Sequence, residues 1–168
     1  MNKIIFRVAK TEAELQQCFA VRHCVFVEEQ EIFFESDRDK FDKNAIHFVA
    51  IDTDTGEVVS TVRCHEVEDD IWYGARLAVA KEYRNNSSLI GVSLCKLAEQ
   101  TVADRGAKHF LAYIQTQNVR FFEGLDWRKV GEPVMLLGLL HQLMEASLSD
   151  VRNKTENFEA EKDQTVYA

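Results

Sequence analysis

The order of apolar and polar positions predicts a strand and then a helix at the start of the chain. The apolar run at 4–9 has the length of a short strand. From Thr11 a capping box, Thr-Glu-Ala-Glu, precedes apolar residues that recur with helical spacing as far as Phe26. Arg22 falls within that apolar stripe, so we expect it to face the core and to require a carboxylate partner. Residues 30–44 are polar and irregular, which predicts a loop.

Three β-rich runs follow this loop. They cover residues 45–52, 57–67 and 71–80 and are joined by short turns, a pattern typical of an antiparallel meander. The period then becomes helical from Ser87 until Gly106.

A further strand closes a strand–helix–strand unit. The apolar run His109–Gln115 predicts this strand, which must lie parallel to the one at 71–80. A short helix over 118–125 and extended segments over 127–135 and 139–148 complete the pattern.

Together these elements predict an α/β fold, of α+β character in its mixed sheet. We expect about seven strands, first an antiparallel meander and then a parallel pair, with helices on both faces of the sheet. Residues 1–148 would form a single domain, and the polar residues 149–168 would form a mobile tail.

Composition narrows the class of protein. The chain has 168 residues, which suits one domain, and its pI near 5.2 argues against a nucleic-acid partner. No stretch approaches the ~20 apolar residues of a membrane span, and the first residues lack the pattern of a secretory signal. The four cysteines lack metal-site spacing, so we expect reduced thiols and no metal. These features predict a cytoplasmic protein without a membrane partner.

Half of the net charge lies in one segment. The formal net charge is −8, and residues 28–43 contribute −4, because they include seven acidic and three basic residues. Two interpretations remain open: a solvated acidic loop, or an acidic rim that attracts a cationic substrate.

The segment 81–91 has the composition of an anion-binding loop. It connects a strand to the start of a helix, where the first backbone amides are unpaired. Arg84 supplies positive charge, neighbouring Asn and Ser side chains supply donors, and Gly91 would allow close approach of a ligand. The segment matches neither the phosphate loop of nucleotide triphosphatases nor the dinucleotide-binding turn.

Several local strings, in this order, resemble the GCN5-related N-acetyltransferase (GNAT) superfamily. They are the segments 76–79, 110–112 and 118–127 in the second half, and 21–30 and 35–37 with His47 in the first half. The first-half strings resemble a small bacterial subgroup with the pattern R-x-x-V-F-V-x-E-Q. The resemblance covers about residues 4–148.

This resemblance implies an acyltransferase that moves an acetyl group from acetyl-CoA to a small amine acceptor by direct attack on the thioester. It implies that the parallel strands splay apart, with the pantetheine arm paired to one strand and the pyrophosphate at the N-terminus of the next helix. The residues that it assigns to acetyl-CoA are Leu77, Ala78, Val79, Arg84, Asn85, Asn86, Ser87, Ser88, Leu89, Ile90, Gly91, Val92, Asn118 and Phe122.

The cofactor loop and one turn depart from the superfamily pattern. Ser87 and Leu89 stand where the loop usually has glycines, which implies a longer loop or weaker CoA binding. Asp126 stands where a glycine usually precedes the next strand, and aspartate tolerates a left-handed backbone better than most residues.

The catalytic residues also depart from the pattern. Phe122 stands where a tyrosine often protonates the leaving thiolate, so another acid, for example Tyr113 or Tyr83, or a water molecule would have to supply the proton. Proton transfer from the amine requires an acceptor. The candidates for that role by chemistry and position are Glu28, Glu29, Glu35 and His65.

Three alternatives remain open from the sequence. The first is an acyltransferase similar to autoinducer synthases, which share this core. Their arginine, aromatic and acidic positions match Arg22, Phe26, residues 37–42 and Arg63. A degenerate module that binds CoA without turnover would suit Phe122 and the altered loop. The apolar segment 135–144 would suit either a strand-mediated homodimer or core strands of one monomer.

Overall fold

The computed structural model describes residues 3–149, with the backbone alone at 85–88. The elements in chain order are β1 (Ile4–Val8), α1 (Glu12–Arg22), β2 (Ile46–Asp52), β3 (Glu57–Glu68), β4 (Ile71–Val79), α2 (Ser87–Asp104), β5 (His109–Gln115), α3 (Val119–Glu123), β6 (Arg128–Lys129), β7 (Val134–Leu136) and β8 (Leu139–Glu145). A π-helix, His23–Glu29, continues α1, and 3₁₀-helices cover Lys40–Lys43, Lys81–Asn86 and Thr116–Asn118. The predicted tail at 149–168 lies outside the described residues except for Ser149.

All eight of these strands belong to one mixed sheet. Their order is β1-β2-β3-β4-β5-β8-β6, and β7 pairs with β8 beside this path. Strands β1 to β4 form the predicted antiparallel meander, and β4 and β5 form the predicted parallel pair. The sheet confirms the predicted class and has one strand more than expected, because the predicted extended segment at 127–135 is broken into β6 and β7.

Strand β2 is buried on both faces because helices pack on both sides of the sheet. Phe48 and Ala50 belong to the large core that contains Leu94 of α2. Val49 belongs to a second core, together with Cys18 of α1. Since alternate residues of a strand point to opposite faces, this explains the apolar run in β2 and confirms the prediction of helices on both faces.

The helix ends follow their local sequence. Thr11 caps α1 by accepting a hydrogen bond from the Glu14 amide at 3.1 Å, while the Glu14 carboxylate accepts one from the Lys10 amide at 2.6 Å. Helix α2 ends at Asp104, and Gly106 then adopts a φ of +88°, as predicted for a glycine that terminates a helix. None of the described helices is long and apolar enough to cross a membrane.

Strands β4 and β5 separate after a short paired stretch. Their pairing runs from Ile71 with His109 to Tyr73 with Leu111. Beyond it β5 pairs with β8 as far as Gln115, while β4 continues beside β3. The resulting gap opens a cleft in the sheet.

A β-bulge lies in β4 on one side of this cleft. Thr61 pairs with Ala78 and Arg63 pairs with Ala75. Between these two pairs the chain advances three residues along β4 but only two along β3, so β4 carries one extra residue. The bulge includes Arg76, whose φ of +59° lies in the left-handed region.

Candidate active site

The gap between β4 and β5 forms a cleft of about 480 Å³. Its walls are mostly apolar and come from β3, β4, β5, α2 and the segment that follows the π-helix. Of the predicted site residues, the cleft is lined by His65, Leu77, Tyr113, Asn118 and Phe122. A pocket of this size and character is typical of a small-molecule site.

Arg22 is buried beside this cleft and is fully paired with carboxylates. It is 1% exposed, and its Nε donates to Asp37 Oδ2 at 2.6 Å. Its two terminal nitrogens donate to the two oxygens of Asp42 at 2.7 and 3.1 Å. The carboxylate partner predicted for Arg22 is therefore present, and it comes from the acidic segment at 28–43.

Two further arginines complete a network of three arginines and three aspartates. Arg63 makes two hydrogen bonds to Asp39, at 2.7 and 2.8 Å, and one to Asp42 at 2.8 Å. Arg76 lies 3.2 Å from Asp37 and 3.3 Å from Asp39. We call these six residues the Arg–Asp network. It neutralises three of the acids that an acidic rim would need.

The network holds the carboxylates of Asp39 and Asp42 in the charged form. Burial alone would raise the pKa of Asp42, but hydrogen bonds from Arg22, the Asp39 amide and Arg63 hold it far below its usual range. Burial would likewise raise the pKa of Asp39, but hydrogen bonds from Arg63 leave that pKa lowered as well. The segment from 37 to 42 is thus tied to β3 and β4 by charge-assisted hydrogen bonds.

Four roughly parallel rings lie in a row along the cleft, and we call them the ring row. Phe41 stacks on His65 with centroids 4.4 Å apart, His65 lies 6.5 Å from Tyr73, and Tyr73 lies 6.2 Å from Tyr113. His65 and Tyr73 are cross-strand partners in β3 and β4, which places both rings on the same face. The row therefore crosses the three strands that border the cleft.

Within the ring row, His65 has a pKa below the usual value of a histidine. Burial and the positive charge of Arg63 both lower this pKa. The negative charges of Asp39 and Asp42 raise it, but by less. Its Nδ1 is buried without a hydrogen-bond partner in the described part of the chain. The ring is therefore neutral near pH 7 and can accept a proton.

The segment predicted to hold pyrophosphate is helical throughout. Residues Lys81–Asn86 form a 3₁₀-helix and α2 begins at Ser87, so Leu89, Ile90, Gly91 and Val92 lie in the first two turns of α2. The segment therefore presents a helix N-terminus at Ser87, where the sequence predicts the helix to begin, whereas residues 81–86 form a 3₁₀-helix instead of the expected loop.

Arg84 forms an ion pair with a predicted catalytic residue. Its guanidinium lies 2.6 Å from the carboxylate of Glu29, and its Nε donates to the Val79 carbonyl at 3.1 Å. This pair joins the end of the π-helix to the end of β4. Among the described residues, Glu28, Glu29 and Glu35 do not line the cleft.

Gly91, Phe122 and Asp126 lie at or beside the three departures from the superfamily pattern, and each has a defined place in the structure. A Cβ on Gly91 would lie 3.3 Å from the Phe121 ring, so this glycine allows α2 and α3 to pack closely. Phe122 lines the cleft and packs its ring 5.2 Å from Trp127. Asp126 adopts a φ of +66°, which confirms that aspartate takes the place of the usual glycine in that turn.

The apolar segment after β6 is an exposed hairpin formed by β7 and β8. Val134, Leu136, Leu139 and His141 share one face, since 134 pairs with 141 and 136 with 139. Leu136 and His141 line the cleft. The interpretation of 135–144 as core strands is wrong for the tip, where Met135 is 66% exposed.

Sequence reasoning missed the roles of Arg76, Phe41 and Tyr73. The register of the meander offered a signal for Tyr73, because it pairs with His65 across the second turn. Nothing local indicated that Arg76 would reach Asp37 and Asp39, which lie far back in the chain.

Comparisons with known proteins agree with this architecture. Residues 10–127 match the model of the Acetyltransferase (GNAT) family. The chain is 32% identical over 138 residues to the uncharacterized N-acetyltransferase YjcF of Bacillus subtilis (strain 168), covering 82% of this chain and 95% of YjcF.

Solved structures share the fold at lower identity. A crystallised protein of Lactobacillus plantarum, designated an N-acetyltransferase, has a TM-score of 0.76 at 24% identity and covers 88% of this chain and 99% of its own. The CoA-dependent acyl-homoserine lactone synthase BjaI has a TM-score of 0.69 at 18% identity, with coverages of 93% and 90%.

Proposed function

Because the chain belongs to the GNAT family of acetyltransferases, we propose that it transfers an acetyl group from acetyl-CoA to the amine of a small acceptor. The amine nitrogen attacks the thioester carbon, a C–N bond forms, and the C–S bond breaks. The amine gives up one proton, and the leaving CoA thiolate takes up one proton. The observation that carries the proposal is the cleft that opens where β4 leaves β5.

Strand β4 supports the donor side of the proposal. Its pairing with β5 ends at Tyr73, so the edge of β4 from Gly74 onward faces the cleft. Backbone groups along such an edge can pair with an extended ligand as a further strand would. Leu77, Ala78 and Val79 would then hold the pantetheine arm.

The helix N-terminus of α2 supports the position of the pyrophosphate. Helix N-termini bind anions through unpaired amides and the helix dipole. In this proposal Arg84 adds a positive charge beside residues 85–92, and Asn118 and Phe122 line the opposite side of the donor site.

We assign the proton acceptor to His65 and the proton donor to Tyr113. Both line the cleft and both belong to the ring row. Burial lowers the pKa of His65, so its neutral ring is available at pH 7. Tyr113 is 46% exposed, and its hydroxyl replaces the one that Phe122 lacks.

The test is release of the CoA thiol from acetyl-CoA with a panel of primary amines. We expect His65→Gln to lower kcat by roughly 100-fold, with an unchanged KM for acetyl-CoA. Tyr113→Phe should also lower kcat, while Glu35→Gln, at an exposed position outside the cleft, should leave it unchanged. Binding of acetyl-CoA without thiol release from any amine would instead identify a degenerate CoA-binding module.

A second candidate function uses the same cleft with a different acyl donor. An autoinducer-synthase-like enzyme would take a longer acyl group, for which the mostly apolar cleft walls offer a suitable surface. Thiol release with acetyl-, hexanoyl- and octanoyl-CoA, and transfer from acyl carrier protein, would separate the two. Faster transfer of the longer acyl groups to S-adenosylmethionine would favour the second candidate.

We also propose that a second copy of the chain packs on the outer face of the β7–β8 hairpin. Met135 and Leu140 form this face; they are 66% and 44% exposed and pair with each other across the hairpin. An apolar edge hairpin favours association with a like edge. Sedimentation velocity should show a dimer that Met135→Lys converts to monomer, whereas Phe34→Lys, also exposed, should not.

A further inference from the structure

The ring row and the charges beside it restrict the acceptor, and we infer that the acceptor is an amine with an aromatic ring. This inference rests on the proposed function, because it concerns the acceptor of that same cleft. The rings in the row are roughly parallel, with angles of 20° to 27° between neighbouring planes. In a row of this kind the outer face of an end ring is a flat surface on which another ring can stack.

The outer rings of the row are accessible. Phe41 is 39% exposed and Tyr113 is 46% exposed, whereas His65 between them is 9% exposed. A planar ligand can therefore contact Tyr113, or Phe41 in place of the Lys40 ammonium that lies 5.1 Å from its ring centroid, without displacing any part of the sheet. At the Phe41 end the ligand would lie beside the ring that stacks, at 4.4 Å, on His65, the proposed proton acceptor.

The charges of the cleft disfavour a polyamine. Among the described residues that line it, the only carboxylate belongs to Asp39. That carboxylate is already held by Arg63 at 2.7 Å and by Arg76 at 3.3 Å. A second ammonium group, as in putrescine or spermidine, would have no unpaired carboxylate there and would meet two guanidinium groups instead.

The β7–β8 hairpin supplies a second apolar surface of the cleft. Leu136 and Leu137 line the cleft and are 37% and 54% exposed. An aromatic body would bury part of this surface together with the ring row, which favours binding. A short alkyl amine would leave both surfaces in water.

The experiment uses the full chain with acetyl-CoA and amines matched in their reactive group. We expect kcat/KM for phenethylamine and tryptamine to exceed that for propylamine, putrescine and spermidine by about tenfold or more. Phe41→Leu, which removes a ring but keeps an apolar side chain, should raise KM for phenethylamine about two- to tenfold. It should leave KM for acetyl-CoA unchanged, and Phe34→Leu, at a residue that is 93% exposed, should change neither.

Failure of this inference differs from failure of the proposed function. Turnover that prefers putrescine or spermidine would overturn the aromatic acceptor and leave acetyl transfer intact. If no amine is acetylated, the acetyl-transfer proposal fails, and calorimetry with phenethylamine in the presence of CoA then decides the inference. Binding with a Kd below about 1 mM that Phe41→Leu weakens would support it, and absence of binding would overturn it.

Discussion

The carboxylate of Glu29 lies 2.6 Å from the guanidinium of Arg84 and so joins the π-helix to the segment that precedes α2. The two side chains are 31% and 38% exposed, which leaves the pair in contact with solvent. In the proposed complex the pyrophosphate and Glu29 compete for the same guanidinium. This competition makes Glu29 a determinant of CoA affinity, although it does not line the cleft.

Removing that competition should tighten CoA binding. Exposed ion pairs contribute about 0.2–1 kcal/mol, so we expect Glu29→Gln to lower the Kd for CoA by up to about fivefold in calorimetry. Arg84→Gln should raise the Kd. Glu28→Gln is the matched control, because Glu28 contacts His23 at 3.6 Å rather than Arg84. Equal effects of the two glutamate variants would contradict the competition.

The Arg–Asp network should be a major source of stability. Asp42→Asn keeps the size of the side chain but removes the carboxylate shared by Arg22 and Arg63. Breaking one partner of a buried pair costs about 3–5 kcal/mol, because charge is left uncompensated. Urea denaturation should show a loss of this size for Asp42→Asn and less than about 0.5 kcal/mol for the exposed control Glu35→Gln. A loss below about 1 kcal/mol for Asp42→Asn would disprove this role.

The left-handed backbone at Arg76 in the β4 bulge should affect stability. Arg76→Ala and Arg76→Gly both remove the contacts with Asp37 and Asp39, so the difference between them isolates the backbone conformation at a φ of +59°. We expect the glycine variant to be more stable by about 1 kcal/mol. At the neighbouring Ala75, which lacks a positive φ, glycine should instead be destabilising by roughly 0.5–1 kcal/mol. The same sign at both positions would refute the argument.

Stability should fall steeply in acid. Hydrogen bonds from Arg7 and from the Lys10 amide lower the pKa of Glu14 from 4.5 to about 2, and Asp42 is also held far below its usual range. Because the folded pKa values lie below the unfolded ones, this stabilisation is full above about pH 4.5 and is lost as the pH falls toward 2. The urea midpoint should decline over that range. It should decline less in Glu14→Gln, and equal slopes would show that Glu14 contributes nothing.

Much of the sheet could be predicted because its signals are local. Apolar runs and short turns identified β1 to β4, and the helical period between Ser87 and Gly106 identified the crossover to β5. The carboxylate partners of Arg22 could also be predicted, because an arginine on a buried helix face requires carboxylates and an acidic segment follows it. Asp126 was recognised as a substitute for glycine because of the left-handed preference of aspartate.

The remaining features depend on contacts between distant parts of the chain. The ring row unites residues from a 3₁₀-helix and three strands, and its order is set by strand register rather than by spacing. The bulge at Arg76 is stabilised by residues almost forty positions earlier. The pairing of Glu29 with Arg84 likewise requires the π-helix, which has no local sequence pattern.

The anchoring of the segment 37–42 has a consequence for protein engineering. Phe33 is fixed against Phe26 and Arg76, and Asp37 is fixed by Arg22, whereas the three residues between them are exposed. Lengthening a loop between two fixed ends is inexpensive, at about 0.6 kcal/mol per doubling. Residues 34–36 are therefore a natural insertion point for libraries that add new surface next to the cleft residue Phe33 while the scaffold stays intact.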